Sequence, residues 1–150
     1  MRALIVDDQE DLRELLRVSL SIGSFDVVIA ASGREAIDIL GADADFDVVV
    51  LDVQMPDVDG WEVLEAIRNA PATARLPVVM CTVKSSRVDA ERAWTLGCDG
   101  YVTKPFNVAD FVEDVRTLAL ASEDVRRSTR ERALMDLQLD AVDGHASGVR

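Results

Sequence analysis

Asp47-Val48-Val49-Val50-Leu51-Asp52 is the stretch that decides the fold. A strand exposed on one face alternates apolar and polar residues. Four apolar residues in succession instead suit a strand covered on both faces, as in a parallel sheet. Outward from it, similar runs rich in Val and Ile stand at Ala3 to Asp8, Phe25 to Ala30, Pro77 to Thr82 and Gly100 to Pro105. The segments between them carry helix start and stop signals. Ser32 with Glu35 forms a capping box, Asp59 with Glu62 a less perfect one, and Ser86 and Asn107 each have an aspartate three positions on. Gly41 and Gly97 stand where helices should stop. Strand and helix alternate five times, which predicts right-handed crossovers and a three-layer α/β domain over residues 1–118. The expected sheet is five-stranded, parallel and doubly wound, in the flavodoxin-like order 2-1-3-4-5.

Residues 119–150 differ in character. Glu123-Asp124 and Arg126-Arg127 carry both signs, and Leu134, Leu137 and Leu139 form an apolar cluster. This C-terminal extension is expected to prolong the last helix and to hold no separate output domain. A coiled coil is disfavoured, because Ser122, Thr129 and Arg132 share a stripe with Val115, Leu118 and Val125. Gly144, Ser147 and Gly148 suggest a frayed end. The expected role of the tail is contact with a partner or with a second copy of the chain, as a homodimer.

At 150 residues the chain suits one domain plus an appendage. The hydrophobic fraction of 49% and charged fraction of 29% fit a soluble globular protein. No run approaches the roughly 18 apolar residues of a membrane span, and no small-residue cleavage site follows the first apolar run, so a cytoplasmic location and no membrane partner are expected. Cys81 and Cys98 are too few for a disulfide framework and lack metal-ligand spacing. The net charge of −12 argues against direct nucleic-acid binding, which needs a basic face.

Asp7 and Asp8 end the first expected strand and Asp52 the third. In the order 2-1-3-4-5 these strands are neighbours at the topological switch point, so the three carboxylates converge at the carboxyl edge. Each alone could be structural, Asp8 as a helix N-cap and Asp7 as a solvated strand end. Together they would repel and raise one another's pKa unless a hard divalent cation intervened, and oxygen-only ligands suit magnesium. Aspartate is also a nucleophile in phosphoryl transfer. Lys104, at the end of the fifth strand, would supply a compensating point charge on phosphate, and a cis Lys104–Pro105 bond would aim it inward. Thr82 ends the fourth strand with a hydroxyl that could donate to a phosphoryl oxygen or cap the next helix. Met55 to Gly60 is a turn-rich loop that leaves room for a partner.

Asp7-Asp8 after Ile5-Val6, Asp52 with the run through Pro56 to Gly60-Trp61, Thr82, and Tyr101 through Lys104-Pro105-Phe106 together resemble the receiver domain of bacterial two-component response regulators. The intervals from Asp52 to Thr82 and from Thr82 to Lys104 are those usual in that family. The resemblance covers residues 1–118 and implies phosphorylation of Asp52 by a histidine kinase or phosphotransfer protein, followed by contact with a downstream effector protein. It also implies magnesium held by Asp7, Asp8, Asp52 and the backbone carbonyl of Gln54, with Thr82 and Tyr101 changing rotamer together. Such a domain promotes only its own phosphorylation and dephosphorylation and is not otherwise an enzyme. Two positions depart from the pattern. Val83 stands where a small residue is usual, and Lys84 places a basic group near the site, so both bear on access and on the lifetime of the phosphorylated form.

Three other readings use parts of the same pattern. A haloacid-dehalogenase-like phosphohydrolase would place Asp-x-Asp on the first strand, whereas Asp52-Val53-Gln54 follows the third and lacks the second acid. A flavodoxin-like redox module needs a phosphate loop after the first strand, and none is there. An unphosphorylated scaffold would have lost a pocket residue, and none is missing.

Overall fold

The computed structural model, which describes residues 1–147, has the element order β1 (Arg2–Val6), α1 (Glu10–Ile22), β2 (Asp26–Ala30), α2 (Gly33–Ala42), β3 (Val48–Leu51), α3 (Gly60–Asn69), β4 (Val78–Thr82), α4 (Arg87–Leu96), β5 (Gly100–Thr103), α5 (Val108–Leu120) and α6 (Glu123–Ser147). The strands pair in parallel in the order β2-β1-β3-β4-β5. Successive side chains of a strand point to opposite faces, and the continuous apolar runs are divided accordingly. Leu4, Val6, Val49, Leu51, Val78 and Met80 enter one core. Ala3, Ile5, Val48, Val50, Val79 and Cys81 enter the other. Helices α2, α3 and α4 cover the first, through residues such as Leu40, Leu64 and Ala93. The second is closed by α1 and α5, through Leu16, Leu20, Phe111 and Val115. At about 1.5–3 kcal/mol for each fully buried aliphatic side chain, the two cores dominate the favourable side of folding.

All four expected caps form. The side chains of Ser32, Asp59, Ser86 and Asn107 accept from the amides of Glu35, Glu62, Asp89 and Asp110. Glu35 returns its carboxylate to the amide of Ala31, one residue before the cap. Gly97 ends α4 in the left-handed region, with φ 101°. Gly41 is not a stop: it lies inside the last turn of α2, which is capped by Asp43, whose amide donates to the Ile39 carbonyl. Cys81 and Cys98 are both buried free thiols.

The tail differs from the expected prolongation of α5. That helix stops at Leu120, Ala121 is extended, and the hydroxyl and carbonyl of Ser122 take the amides of Val125 and Arg126 to start α6 as a separate helix. Helix α6 packs against α4 and is helical through Gly144 to Ser147, while Gly148 of the expected frayed end lies outside the described residues. Among the described residues no helix is long and apolar enough to cross a membrane.

Gly60 is the backbone contact that seats α3 beneath the sheet edge. Its amide donates to the Val53 carbonyl at 2.8 Å, and a Cβ there would lie 2.1 Å from the Asp52 carbonyl oxygen and 2.7 Å from Val53 Cα. Backbone cannot swing aside as a flexible side chain does. Gly60→Ala is therefore expected to lower stability by about 1–3 kcal/mol, the usual range for overpacking. Gly41→Ala, where a Cβ meets nothing within 4 Å, should instead add about 0.5–1 kcal/mol by helix propensity. Urea-unfolding midpoints of the two variants check both signs.

Candidate functional site

Parallel register builds the site. Val6 pairs with Leu51, and the Asp52 amide donates to the Val6 carbonyl at 3.0 Å. The next residues of the two strands, Asp7 and Asp52, thus leave the same carboxyl edge side by side. They lie just past the strand ends rather than on them, because β1 stops at Val6 and β3 at Leu51. Carboxylate oxygens of Asp7, Asp8 and Asp52 lie within 4.8 Å of one another, with Asp7 and Asp52 buried and Asp8 exposed. Asp8 is not the cap of α1. That position falls to Gln9, which makes no side-chain cap bond, and the Gln9 amide is taken instead by Asp7 Oδ1 at 2.9 Å. Asp8 is thereby left with a carboxylate that no helix end requires.

Lys104 enters from the next pair of strands. Thr82 pairs with Thr103, and the Lys104 amide donates to the Thr82 carbonyl at 2.8 Å. The Lys104–Pro105 peptide is cis. Lys104 Nζ stands 3.0 Å from Asp7 Oδ2 and 3.3 Å from Asp52 Oδ2. Burial pushes the Asp52 carboxyl up; the Lys104 charge pulls it down, Asp7 pushes it up again, and the net shift is upward. Burial alone would lower Lys104, but its bond to Asp7 and the charges of Asp52 and Asp7 more than reverse that, so the ammonium is strengthened. Three carboxylates face one ammonium, and the oxygen-only donor set fits a hard cation such as magnesium. Gln54 stands at the rim, its amide 3.4 Å from Asp52 Oδ1.

Thr82 is fully buried. Its Oγ accepts from the Lys84 amide at 3.2 Å, and the Lys84 carbonyl in turn accepts from the Tyr101 hydroxyl. Burial pushes the Tyr101 phenol up to about 12, with smaller contributions from Asp89 and Cys98. The structure therefore links Thr82 and Tyr101 through Lys84, whose backbone matters here rather than its charge. Val83 is 56% exposed and lines a groove of about 420 Å³ with Gln9, Leu12, Lys104 and Phe106.

Asp99 escaped the reading of the sequence. It is fully buried before β5, at the edge opposite the carboxylates. Its Oδ2 takes the Val78 amide at 2.9 Å, Arg68 at 2.9 Å and Arg126 at 3.3 Å, and its Oδ1 takes Arg130. The available signal was Arg126 and Arg130, four apart on one helix face.

The family model for the response regulator receiver domain matches residues 3–116. The chain is 33% identical over 142 residues to the transcriptional regulatory protein CpxR of Escherichia coli, covering 94% of this chain and 59% of that protein. It is 36% identical over 146 residues to the transcriptional regulatory protein TrcR of Mycobacterium tuberculosis, covering 95% of this chain and 54% of the relative. It thus spans less than two thirds of the length of these relatives. Among solved structures, the chemotaxis protein CheY4 of Vibrio cholerae superposes with a TM-score of 0.73 at 30% identity, covering 78% of this chain and 97% of that one. A putative response regulator from Chloroflexus aurantiacus gives a TM-score of 0.75 at 29% identity, covering 80% and 98%. The convergence of sequence and fold over the whole α/β unit leaves one conclusion: the chain belongs to the receiver-domain family of two-component response regulators, which are phosphoryl-accepting signalling domains that bind magnesium at an acidic pocket.

Proposed function

We propose that Asp52 is the phosphoacceptor of this receiver, that Asp7, Asp8, Asp52 and the Gln54 carbonyl hold magnesium, and that Lys104 and Thr82 receive the phosphoryl oxygens. The observation that carries this is the position of Lys104 Nζ, 3.0 Å from Asp7 and 3.3 Å from Asp52 at the edge shared by three carboxylates. An Asp52 oxygen attacks the phosphorus of a donor phosphohistidine, the P–O bond forms as the P–N bond breaks, and the departing imidazole nitrogen takes up a proton. Lys104 orients the incoming group by charge, and the Thr82 hydroxyl offers it a donor. Bound magnesium supplies further positive charge to the phosphoryl oxygens. No other group turns over, so the domain acts only on its own acyl phosphate. Residues 1–118 form the receiver in this reading and residues 119–150 its extension. The proposed partners are a histidine kinase or phosphotransfer protein and an effector protein, which suit a chain of net charge −12 better than nucleic acid does. A cytoplasmic location fits such partners.

Asp52→Ala should abolish acid-stable, base-labile labelling by a kinase, and labelling at the wild-type level would refute the assignment of the acceptor.

The carboxylates that would hold magnesium repel one another without it. Asp52 has its folded-state pKa raised, so the folded protein holds that proton more tightly than the unfolded chain does. Its destabilising effect is thus fully present above the raised value and fades as pH falls towards the ordinary aspartate value of about 3.9. In the absence of divalent cation, Asp52→Asn should raise the thermal midpoint at neutral pH, with the gain shrinking on acidification. Asp8→Ala should remove most of the magnesium response. Trp61, buried next to Gly60 and so close to Asp52, reports it by fluorescence in a Trp94→Phe background.

Val83 bears on access rather than chemistry. A β-branched side chain beside Lys104 is stiff at χ1, and in-line displacement needs the attacking oxygen opposite the leaving one. Val83→Ala should therefore speed both acetyl-phosphate labelling and self-dephosphorylation severalfold while kinase-driven transfer changes less. Equal or slower rates would assign access to Lys84 or Gln54 instead.

A further inference from the structure

Helix α6 has two opposite faces that carry apolar side chains, and the receiver covers one of them. Arg126, Arg130, Ala133, Leu134, Leu137 and Ala141 are buried or half-buried, at the spacing of one helix face, and α6 packs against α4. Arg126 and Arg130 fix that face by pairing with the buried Asp99 carboxylate. On the other side Val125, Ser128, Arg132, Met135, Leu139 and Val142 are all exposed. Their separations alternate between three and four residues, the seven-residue repeat of a helix that packs lengthwise on another helix. Four of the six are large and apolar, each with more than half of its surface open to solvent. This repeat begins in a new phase with α6. The stripe through Val115, Leu118 and Val125 crosses the break at Ala121 from one helix into the next and so conceals it.

The polar members of the exposed stripe, and the charges along the helix, decide what covers it. Residues 126–132 hold four arginines and one glutamate, whereas residues 133–142 hold Asp136 and Asp140 and no basic residue. In a parallel pairing of two such helices, Arg132 would meet Arg132 and Ser128 would meet Ser128. An antiparallel pairing with Val125 opposite Val142 sets Ser128 against Leu139 and Arg132 against Met135. Each polar residue of the stripe then has an apolar partner, and the arginine stem can lie along it with its head in water. The arginine-rich half of each helix also runs beside the aspartate-bearing half of the other, which is electrostatic complementarity of the kind that selects partners and sets their register. The helix is therefore complementary to itself about a twofold axis, the arrangement of an isologous dimer.

We propose that the outer face of α6 is a self-association surface: two copies of the chain pair through antiparallel α6 helices, with Met135, Leu139 and Val142 of each in the seam and the two receivers on its outer sides. Because α4 packs on the opposite face of α6, the second helix displaces nothing that the receiver supplies. The inference is independent of the assignment of Asp52, since no residue of that pocket lies on the seam.

The test uses the full chain. Sedimentation equilibrium from micromolar to near-millimolar concentration should show monomer and dimer in exchange. Leu139→Asp should weaken the dimer by about ten-fold or more, with hydrogen exchange across α6 showing that the helix stays seated on α4. Arg132→Leu should tighten it severalfold, because a charged residue leaves the seam. Ile22→Asp, at an exposed apolar residue of α1, should change nothing. Orientation is read by oxidative cross-linking: chains carrying Ser128→Cys mixed with chains carrying Leu139→Cys should give the mixed disulfide in excess over either self-disulfide, while the native thiols Cys81 and Cys98 stay buried. A chain that is monomeric throughout the range, or a dimer that Leu139→Asp leaves intact, overturns the proposal. Preferential self-cross-linking of the Ser128→Cys chains overturns the antiparallel pairing.

Discussion

The parallel pairing of β1 with β3 is the constraint from which the rest of the molecule follows. It sets Val6 opposite Leu51 and therefore releases Asp7 and Asp52 at one edge. A slip of one residue would send every side chain of the strand to the other face, exchanging Val49 and Leu51 for Val48 and Val50 between the two cores and separating the carboxylates. The apolar burial that fixes this register is indifferent to the acids at its end. The site exists because packing energy, spent along the whole sheet, overrides the repulsion of charges gathered at its rim.

The sheet was legible because two-sided burial leaves a local mark: Val48 to Leu51 and Val78 to Cys81 carry no polar interruption. The caps were legible for the same reason, since Ser32, Asp59, Ser86 and Asn107 act on amides three residues away. The convergence of Asp7, Asp8, Asp52 and Lys104 needed one further step, the strand order, and followed once that was given. Contacts between distant segments left weaker marks. Asp99 meets Arg126 and Arg130 only after α6 has folded back over α4, and nothing local to Asp99 announces that. The break before α6 was closer to hand, because Ser122 followed by Glu123 and Asp124 is a cap with an acidic first turn. Ser122 argues against a coiled coil and for a helix start alike. Gly41 misled in the opposite way: an exposed glycine with nothing near it costs a helix little enough that α2 runs through it.

Buried at opposite edges of the same sheet, Asp52 and Asp99 show how surroundings divide structure from chemistry. Asp99 has a surplus of positive charge, three guanidinium groups and a backbone amide on one carboxylate. Its lone pairs are committed, and it ties α3, β4 and α6 together. Asp52 is in deficit, sharing one ammonium with Asp7 beside the exposed Asp8. Its surroundings leave it a carboxylate whose charge is only partly answered by the protein, with one long contact to each oxygen. Buried charge that is fully paired resists change, because removing any partner strands the rest. Buried charge that is underpaired invites a cation or an electrophile from outside. The two aspartates thus set apart an edge where every partner is in place from one where negative charge is left over.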